Sequence, residues 1–174
     1  ALLHHLNQAE IAVVDAAALG LIDYGKAPLR TVLTPHAGEA TELLLRFGHE
    51  VTRETVQSNA RDYAVLLAEL TKNVVLLKGH VNVLATPAGE VREIGPLSSA
   101  LSTAGTGDVL AGILGSLLAT NHDRVIASEA EFLNTIELAV LLHSQAAELA
   151  SKDGPVAALD VAEAVRKVIA KNRG

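Results

Sequence analysis

The stretch Ser102-Thr103-Ala104-Gly105-Thr106-Gly107-Asp108-Val109-Leu110-Ala111-Gly112 sets two glycines around a threonine, directly before an apolar run. That run, Val109 to Leu118, reads as a helix. A Gly-rich turn at a helix N-terminus leaves backbone N–H groups without partners, and the helix dipole adds partial positive charge there, so such a turn attracts phosphate. Asp108 is the unusual element. A carboxylate beside a phosphate cradle repels the ligand unless it has another task. One task is to take the proton from a hydroxyl that attacks phosphorus. The other reading is a plain helix cap, which Asp fills well.

Outward from this turn, short apolar runs alternate with helical patterns. Ile11 to Val14 and Arg30 to Leu33 read as strands, the second stopped by Thr34-Pro35, because proline has no N–H for a ladder. Ala16 to Ile22 reads as a short helix and Gly38 to Arg46 as another. Thr52 opens a longer helix, with Val56, Ala60, Tyr63, Ala64, Leu67 and Leu70 at helical spacing. Val74 to Lys78 is an apolar run of the kind found in parallel strands covered on both faces. Val81 to Ala85 and Glu90 to Ile94 flank Thr86-Pro87-Ala88-Gly89, a hairpin signal. Gly95 to Ala104 reads as a loop. Thr106 to Thr120, Ser128 to Ser151 and Asp160 to Lys171 read as helices. Strand–helix alternation ahead of a helical tail predicts a single α/β domain, residues 1–174, with a mainly parallel sheet. Ligands of open α/β sheets sit at the carboxyl ends of strands. Asp15, Thr34 to Glu39 and Lys78 to Asn82 all fall there.

Composition excludes several classes. The 174 residues are 49% hydrophobic and 20% charged, a globular balance. A net charge of −6 argues against general nucleic-acid binding. There is no cysteine, hence no disulfide, thiolate nucleophile or zinc–thiolate site. No apolar run reaches the roughly 18 residues of a membrane span, and no signal-peptide pattern opens the chain. A cytoplasmic protein without membrane or nucleic-acid partners is expected. His4, His5, His49, His80, His122 and His143 lack metal-ligand spacing, so no metal site is expected from the protein's own ligands. Ser98, Ser99 and Ser102 have no His–Asp logic for acyl transfer nearby.

Two residues carry open readings. His36, at a strand-to-helix turn, can hydrogen-bond a ligand or merely cap the turn. Lys78, ending an apolar strand, can meet phosphate or reach out to solvent. Glu39 could assist a magnesium ion through water, or complement the helix dipole.

Taken together, the blocks resemble the ribokinase-like superfamily, and within it the ADP- or ATP-dependent NAD(P)H-hydrate dehydratases. Val13-Val14-Asp15-Ala16-Ala17-Ala18-Leu19 is similar to the family's strand ending in Asp-Ala-Asp-Ala-Leu. Leu33-Thr34-Pro35-His36-Ala37-Gly38-Glu39 is similar to its Thr-Pro-His-x-Gly-Glu motif. Val74 to Gly79 resembles its strand into Lys-Gly, and Gly105 to Asp108 its anion hole and catalytic Asp. Ala158-Leu159-Asp160 opens a similar C-terminal helix. Ala17 replaces the second Asp of the first motif, and Asn82 replaces a threonine after Lys-Gly.

The resemblance implies a three-layer ribokinase-like sandwich, of which this chain is the C-terminal portion, either cut from a longer protein or naturally shortened. An incomplete sheet would expose an apolar edge and favour self-association, in line with a homo-oligomer. It further implies Asp108 as catalytic base, in contact with the substrate together with His36. Lys78, Gly79, His80, Val81, Asn82 and Gly107 would lie along the adenine nucleotide. Gly105, Thr106 and Gly107 would form the anion hole. ADP or ATP with Mg2+ would supply a phosphoryl group to the ring hydroxyl of hydrated NADH or NADPH, and elimination would restore the dihydropyridine. Two alternatives stay open: a ribokinase-like kinase for a hydroxymethylpyrimidine or sugar, and a non-catalytic truncated nucleotide-binding module.

Overall fold

The computed structural model describes residues 9–171. The helix-like piece expected at residues 1–8 lies outside them. The described residues fall into two compact units, which divide between Gly95 and Pro96.

The first unit holds a five-stranded sheet in the order β1-β2-β3-β4-β5. These strands are β1 (Ile11–Val14), β2 (Arg30–Leu33), β3 (Val74–Leu77), β4 (Asn82–Ala85) and β5 (Val91–Ile94). The first three run parallel, and β4 and β5 add an antiparallel hairpin. Every residue of β3 and β4 is buried. An α/β fold with a mainly parallel sheet is what the alternation of patterns predicts. The β2–β3 crossover carries α1 (Ala37–Arg46), α2 (Arg53–Ser58) and α3 (Ala60–Thr71). Leu44, Val56 and Leu67 are fully buried in one cluster with Leu33 and Val75 of the sheet. Each such side chain contributes roughly 1.5–3 kcal/mol by leaving water.

Local chemistry moves some boundaries. The segment after β1 is not an α-helix but a 3-10 turn, Ala16–Gly20. Ala16 takes a left-handed φ of 50°, which bars a regular α-helical start. The long helix expected from Thr52 is two helices that break at Asn59. Thr52 does cap the first, its hydroxyl accepting from the Thr55 N–H. The Asn59 side chain donates to the Thr55 carbonyl at 3.0 Å, and this competition with the backbone ends the first helix. Apolar spacing runs through the break, because both helices bury the same face.

The second unit is helical: α4 (Thr106–Thr120), α5 (His122–Ala127), α6 (Glu129–Ala150) and α7 (Ala158–Lys171). A 3-10 turn, Ser99–Ser102, interrupts the segment read as a loop. The α5 turn has no counterpart in the sequence reading. It is short, and only Val125 is buried along it, so its periodic signal is faint. Helix α7 starts two residues before Asp160, because the Asp160 carboxylate accepts from the Ala157 N–H at 2.8 Å. Phe132, Leu133, Ile136 and Val140 of α6 are buried, as are Leu114 and Leu118 of α4. No helix among the described residues is long and apolar enough to cross a membrane.

Candidate active site

Parallel registers carry three strand ends to one rim. The β1–β2 ladder pairs Val14 with Leu33, so the next residues, Asp15 and Thr34, are neighbours. The Thr34 hydroxyl donates to Asp15 Oδ1 at 2.8 Å. The β2–β3 ladder continues past both strands: the Lys78 N–H donates to the Pro35 carbonyl at 2.8 Å, and His36 bridges Lys78. Lys78 Nζ then reaches Asp15 Oδ1 at 2.6 Å, with both side chains more than four-fifths removed from solvent. Of the two readings of Lys78, reaching out to solvent does not hold, since its side chain is largely buried. The ammonium is committed to a carboxylate on the rim.

His36 caps α1. Its Nδ1 accepts from the Glu39 N–H at 3.1 Å, and the Glu39 carboxylate accepts from the His36 N–H at 2.8 Å. This reciprocal box satisfies two helix-start donors. An accepting Nδ1 puts the proton of the neutral ring on Nε2. The ring is more than half exposed, and Nε2 lies 3.7 Å from Glu39 Oε2, beyond hydrogen-bond distance, so Nε2–H remains available as a donor. Capping and ligand contact are therefore compatible, through different nitrogens.

Gly79, His80, Val81 and Asn82 form the β3–β4 turn. Asn82 is buried, and its Oδ1 accepts from the Gly79 N–H at 2.9 Å. It closes the turn from within. A cleft of about 470 Å3 opens beside the turn, lined by His36, Lys78, Gly79, His80 and Val81 among others. That volume suits a small ligand. The structure thus brings together most residues singled out for nucleotide and substrate. It also adds Arg53, Arg61 and Glu93 to the lining, which sequence reasoning missed. A faint signal existed: Arg53, Gln57 and Arg61 recur every fourth residue, a polar stripe at helical spacing.

The Gly-rich turn lies in the second unit. Gly105 caps α4 with a left-handed φ of 86°, which glycine adopts without strain. The Thr106 hydroxyl is turned inward, 2.7 Å from the Leu101 carbonyl and 2.8 Å from that of Thr103. The Thr106 N–H faces the Thr103 carbonyl at 3.3 Å. Thr106 therefore shapes the loop through both its hydroxyl and its N–H. Among the described residues, the N–H groups of Gly105, Gly107 and Asp108 carry no hydrogen bond. Asp108 is the third residue of the helix, not its cap, and its exposed carboxylate has no partner there. The arrangement can hold an anion on three amides with a carboxylate alongside to accept a proton.

Among the described residues, no group of three or more His, Cys, Asp or Glu could hold a metal ion. One oxygen of Glu39 is engaged in the capping box.

The family model described as NAD(P)H-hydrate dehydratase, of carbohydrate-kinase type, matches residues 1–169. The ADP-dependent (S)-NAD(P)H-hydrate dehydratase of Bacillus subtilis is 33% identical over 146 residues, covering 83% of this chain and 48% of that protein. Its namesake from Neisseria meningitidis serogroup B is 34% identical over 114 residues, covering 62% of this chain and 37% of that protein. The chain thus spans about half or less of these curated relatives. The structure of the ADP/ATP-dependent NAD(P)H-hydrate dehydratase from Bacillus subtilis, co-crystallized with ATP/Mg2+, matches with a TM-score of 0.78 and 28% identity. That match covers 97% of this chain and 57% of the other. A ribokinase-like superfamily protein from Enterococcus faecalis, at 22% identity and a TM-score of 0.67, shares the fold.

Proposed function

The chain belongs to the carbohydrate-kinase-like NAD(P)H-hydrate dehydratase family, and on that premise we propose that it carries the nucleotide-dependent repair of hydrated NADH or NADPH. The observation that carries this reading is the Gly105–Asp108 turn: amides and a carboxylate without partners among the described residues, side by side at the start of a helix. A structural cap would be hydrogen-bonded, whereas a base that waits for a substrate hydroxyl would not.

Asp108 takes the proton of the hydroxyl on the hydrated nicotinamide ring. The freed oxygen attacks the terminal phosphorus of ADP or ATP, and the bond to the bridging oxygen breaks toward AMP or ADP. The amides of Gly105, Gly107 and Asp108 stabilise charge on the transferring group. Phosphate then leaves with the C–O bond electrons, and a proton departs from the adjacent ring carbon, restoring the dihydropyridine. Mg2+, bound with the nucleotide phosphates, supplies charge neutralisation. His36 donates through Nε2–H to the substrate. Gly79, His80 and Val81 line the nucleotide, and Lys78 contributes through its place in the rim rather than through a free ammonium.

The test is recovery of reduced-nicotinamide absorbance from hydrated NADH with Mg2+ and ADP or ATP. Nucleotide-dependent recovery is expected, and Asp108→Asn should lower it by about 10²–10⁴-fold with nucleotide binding retained. Equal turnover in that variant would remove Asp108 from the chemistry. A stable phosphorylated product without recovery would make the protein a kinase.

A further inference from the structure

The cleft beside the β3–β4 turn has three strong cations in its wall: Lys78, Arg61 and Arg53. Two are already neutralised. Lys78 is paired with Asp15 at 2.6 Å. Arg61 Nη1 is paired with Glu93 Oε1 at 2.9 Å, joining α3 to β5 across the cleft. Arg53, the first residue of α2, has neither hydrogen bond nor ion pair among the described residues. Its one electrostatic influence is a minor one on Glu54, its chain neighbour. The cleft therefore holds one uncompensated guanidinium, with Gln57 and Ser58 beside it as neutral hydrogen-bonding side chains.

We infer that Arg53 is a phosphate-binding residue, taking a phosphate group of a nucleotide held in this cleft, with Arg61 a second cation restrained by Glu93. A guanidinium presents a planar fork of donors that matches two phosphate oxygens at once, and it stays charged at any physiological pH. An unpaired arginine facing a cleft is expected to recruit an anion. Glu93 is the one carboxylate in the wall. It both occupies Arg61 and repels a second negative charge, so it limits the cleft to one phosphate-bearing group. The inference rests on the dehydratase reading for the class of ligand. The phosphate can come from the adenine nucleotide or from the dinucleotide substrate.

The test is calorimetric titration of the whole chain with inorganic pyrophosphate, ADP, NADH and NADPH. Arg53→Ala should weaken pyrophosphate binding about tenfold, with Arg53→Lys between it and the parent. Glu93→Gln should strengthen binding, because it frees Arg61 and deletes the opposing charge. Arg166→Ala, an exposed arginine on α7, should leave it unchanged. Pyrophosphate that binds Arg53→Ala as it binds the parent, or fails to bind the parent, would overturn the inference. An effect confined to ADP assigns the adenine nucleotide, an equal effect on NADH and NADPH assigns the dinucleotide pyrophosphate, and an effect on NADPH alone assigns the 2′-phosphate. Binding needs no turnover, so the two proposals fail separately. Arg53-dependent binding without NADH recovery would sink the dehydratase reading alone. Normal recovery with Arg53-independent binding would sink only this inference.

Discussion

Lys78 Nζ stands 2.6 Å from Asp15 Oδ1, an ion pair between residues 63 positions apart in the chain. The same carboxylate oxygen accepts the Thr34 hydroxyl, so one atom ties together the ends of β1, β2 and β3. Lys78→Met would leave that carboxylate with a single donor among the described residues, in a site largely removed from water. The expected loss is about 2–4 kcal/mol of unfolding free energy, read from the urea midpoint. The double variant Asp15→Asn with Lys78→Met should recover much of it, since Asn still accepts from Thr34 and no charge is stranded.

His36 holds α1 through Nδ1, while Nε2, 3.7 Å from Glu39 Oε2, makes no hydrogen bond in the cap. His36→Ala should cost about 1 kcal/mol by removing the cap. His36→Asn should restore that stability, because Asn is among the best caps. It should not restore recognition of the hydrated nucleotide if Nε2–H is the substrate donor. Thermal melts paired with KM for the hydrate separate the two roles, and full rescue of both by Asn would leave His36 a cap only.

Two glycines near the start of α4 should respond with opposite sign. Gly105 has a φ of 86°, and a Cβ there would lie 3.2 Å from the Ala158 Cβ. Gly105→Ala should cost about 1–2 kcal/mol from the left-handed backbone alone, and should shift the amides of the Gly105–Asp108 turn. Gly112 is helical, with open space where a Cβ would go. Gly112→Ala should add up to about 1 kcal/mol. Differential scanning calorimetry of the pair checks the sign of each.

Burial raises the Tyr24 phenol above its ordinary value of 10.0, with the Arg46 charge pulling the other way. Its hydroxyl donates to the Leu19 carbonyl. The folded state therefore holds this proton more tightly than the unfolded chain. That stability is fully present below the unfolded value and is lost as pH rises through the folded one. Tyr24→Phe should flatten the alkaline limb of stability above pH ~10, measured as the urea midpoint against pH. An unchanged alkaline limb in the variant would refute the assignment.

Much of this was legible in the sequence. β1 and β2 fall on the β-branched runs, because alternation and a stopping Pro35 are local signals. Helix α4 begins at Thr106, because a glycine that takes positive φ marks its cap. The hairpin follows from Thr86-Pro87-Ala88-Gly89, whose Gly89 φ is 88°. The break at Asn59 was hidden, since a side chain bonding its own backbone leaves hydrophobic period intact. The partners of Lys78, Asn82 and Thr106 were hidden for another reason. Sequence shows that a group can donate or accept, but not which acceptor lies within 3 Å.

By itself the sequence determined the α/β class, the Gly-rich turn with its carboxylate, and the family. Each depends on residue types at short spacing, where backbone conformation is set by near neighbours. Only the tertiary structure decided that Asp15 neutralises Lys78, that His36 stands beside Lys78, and that Arg53 is left as the uncompensated cation of the cleft. Those outcomes depend on parallel register, which is set jointly by strands with long crossovers between them and by the burial of both partners. Charge matching across such distances has no local periodicity.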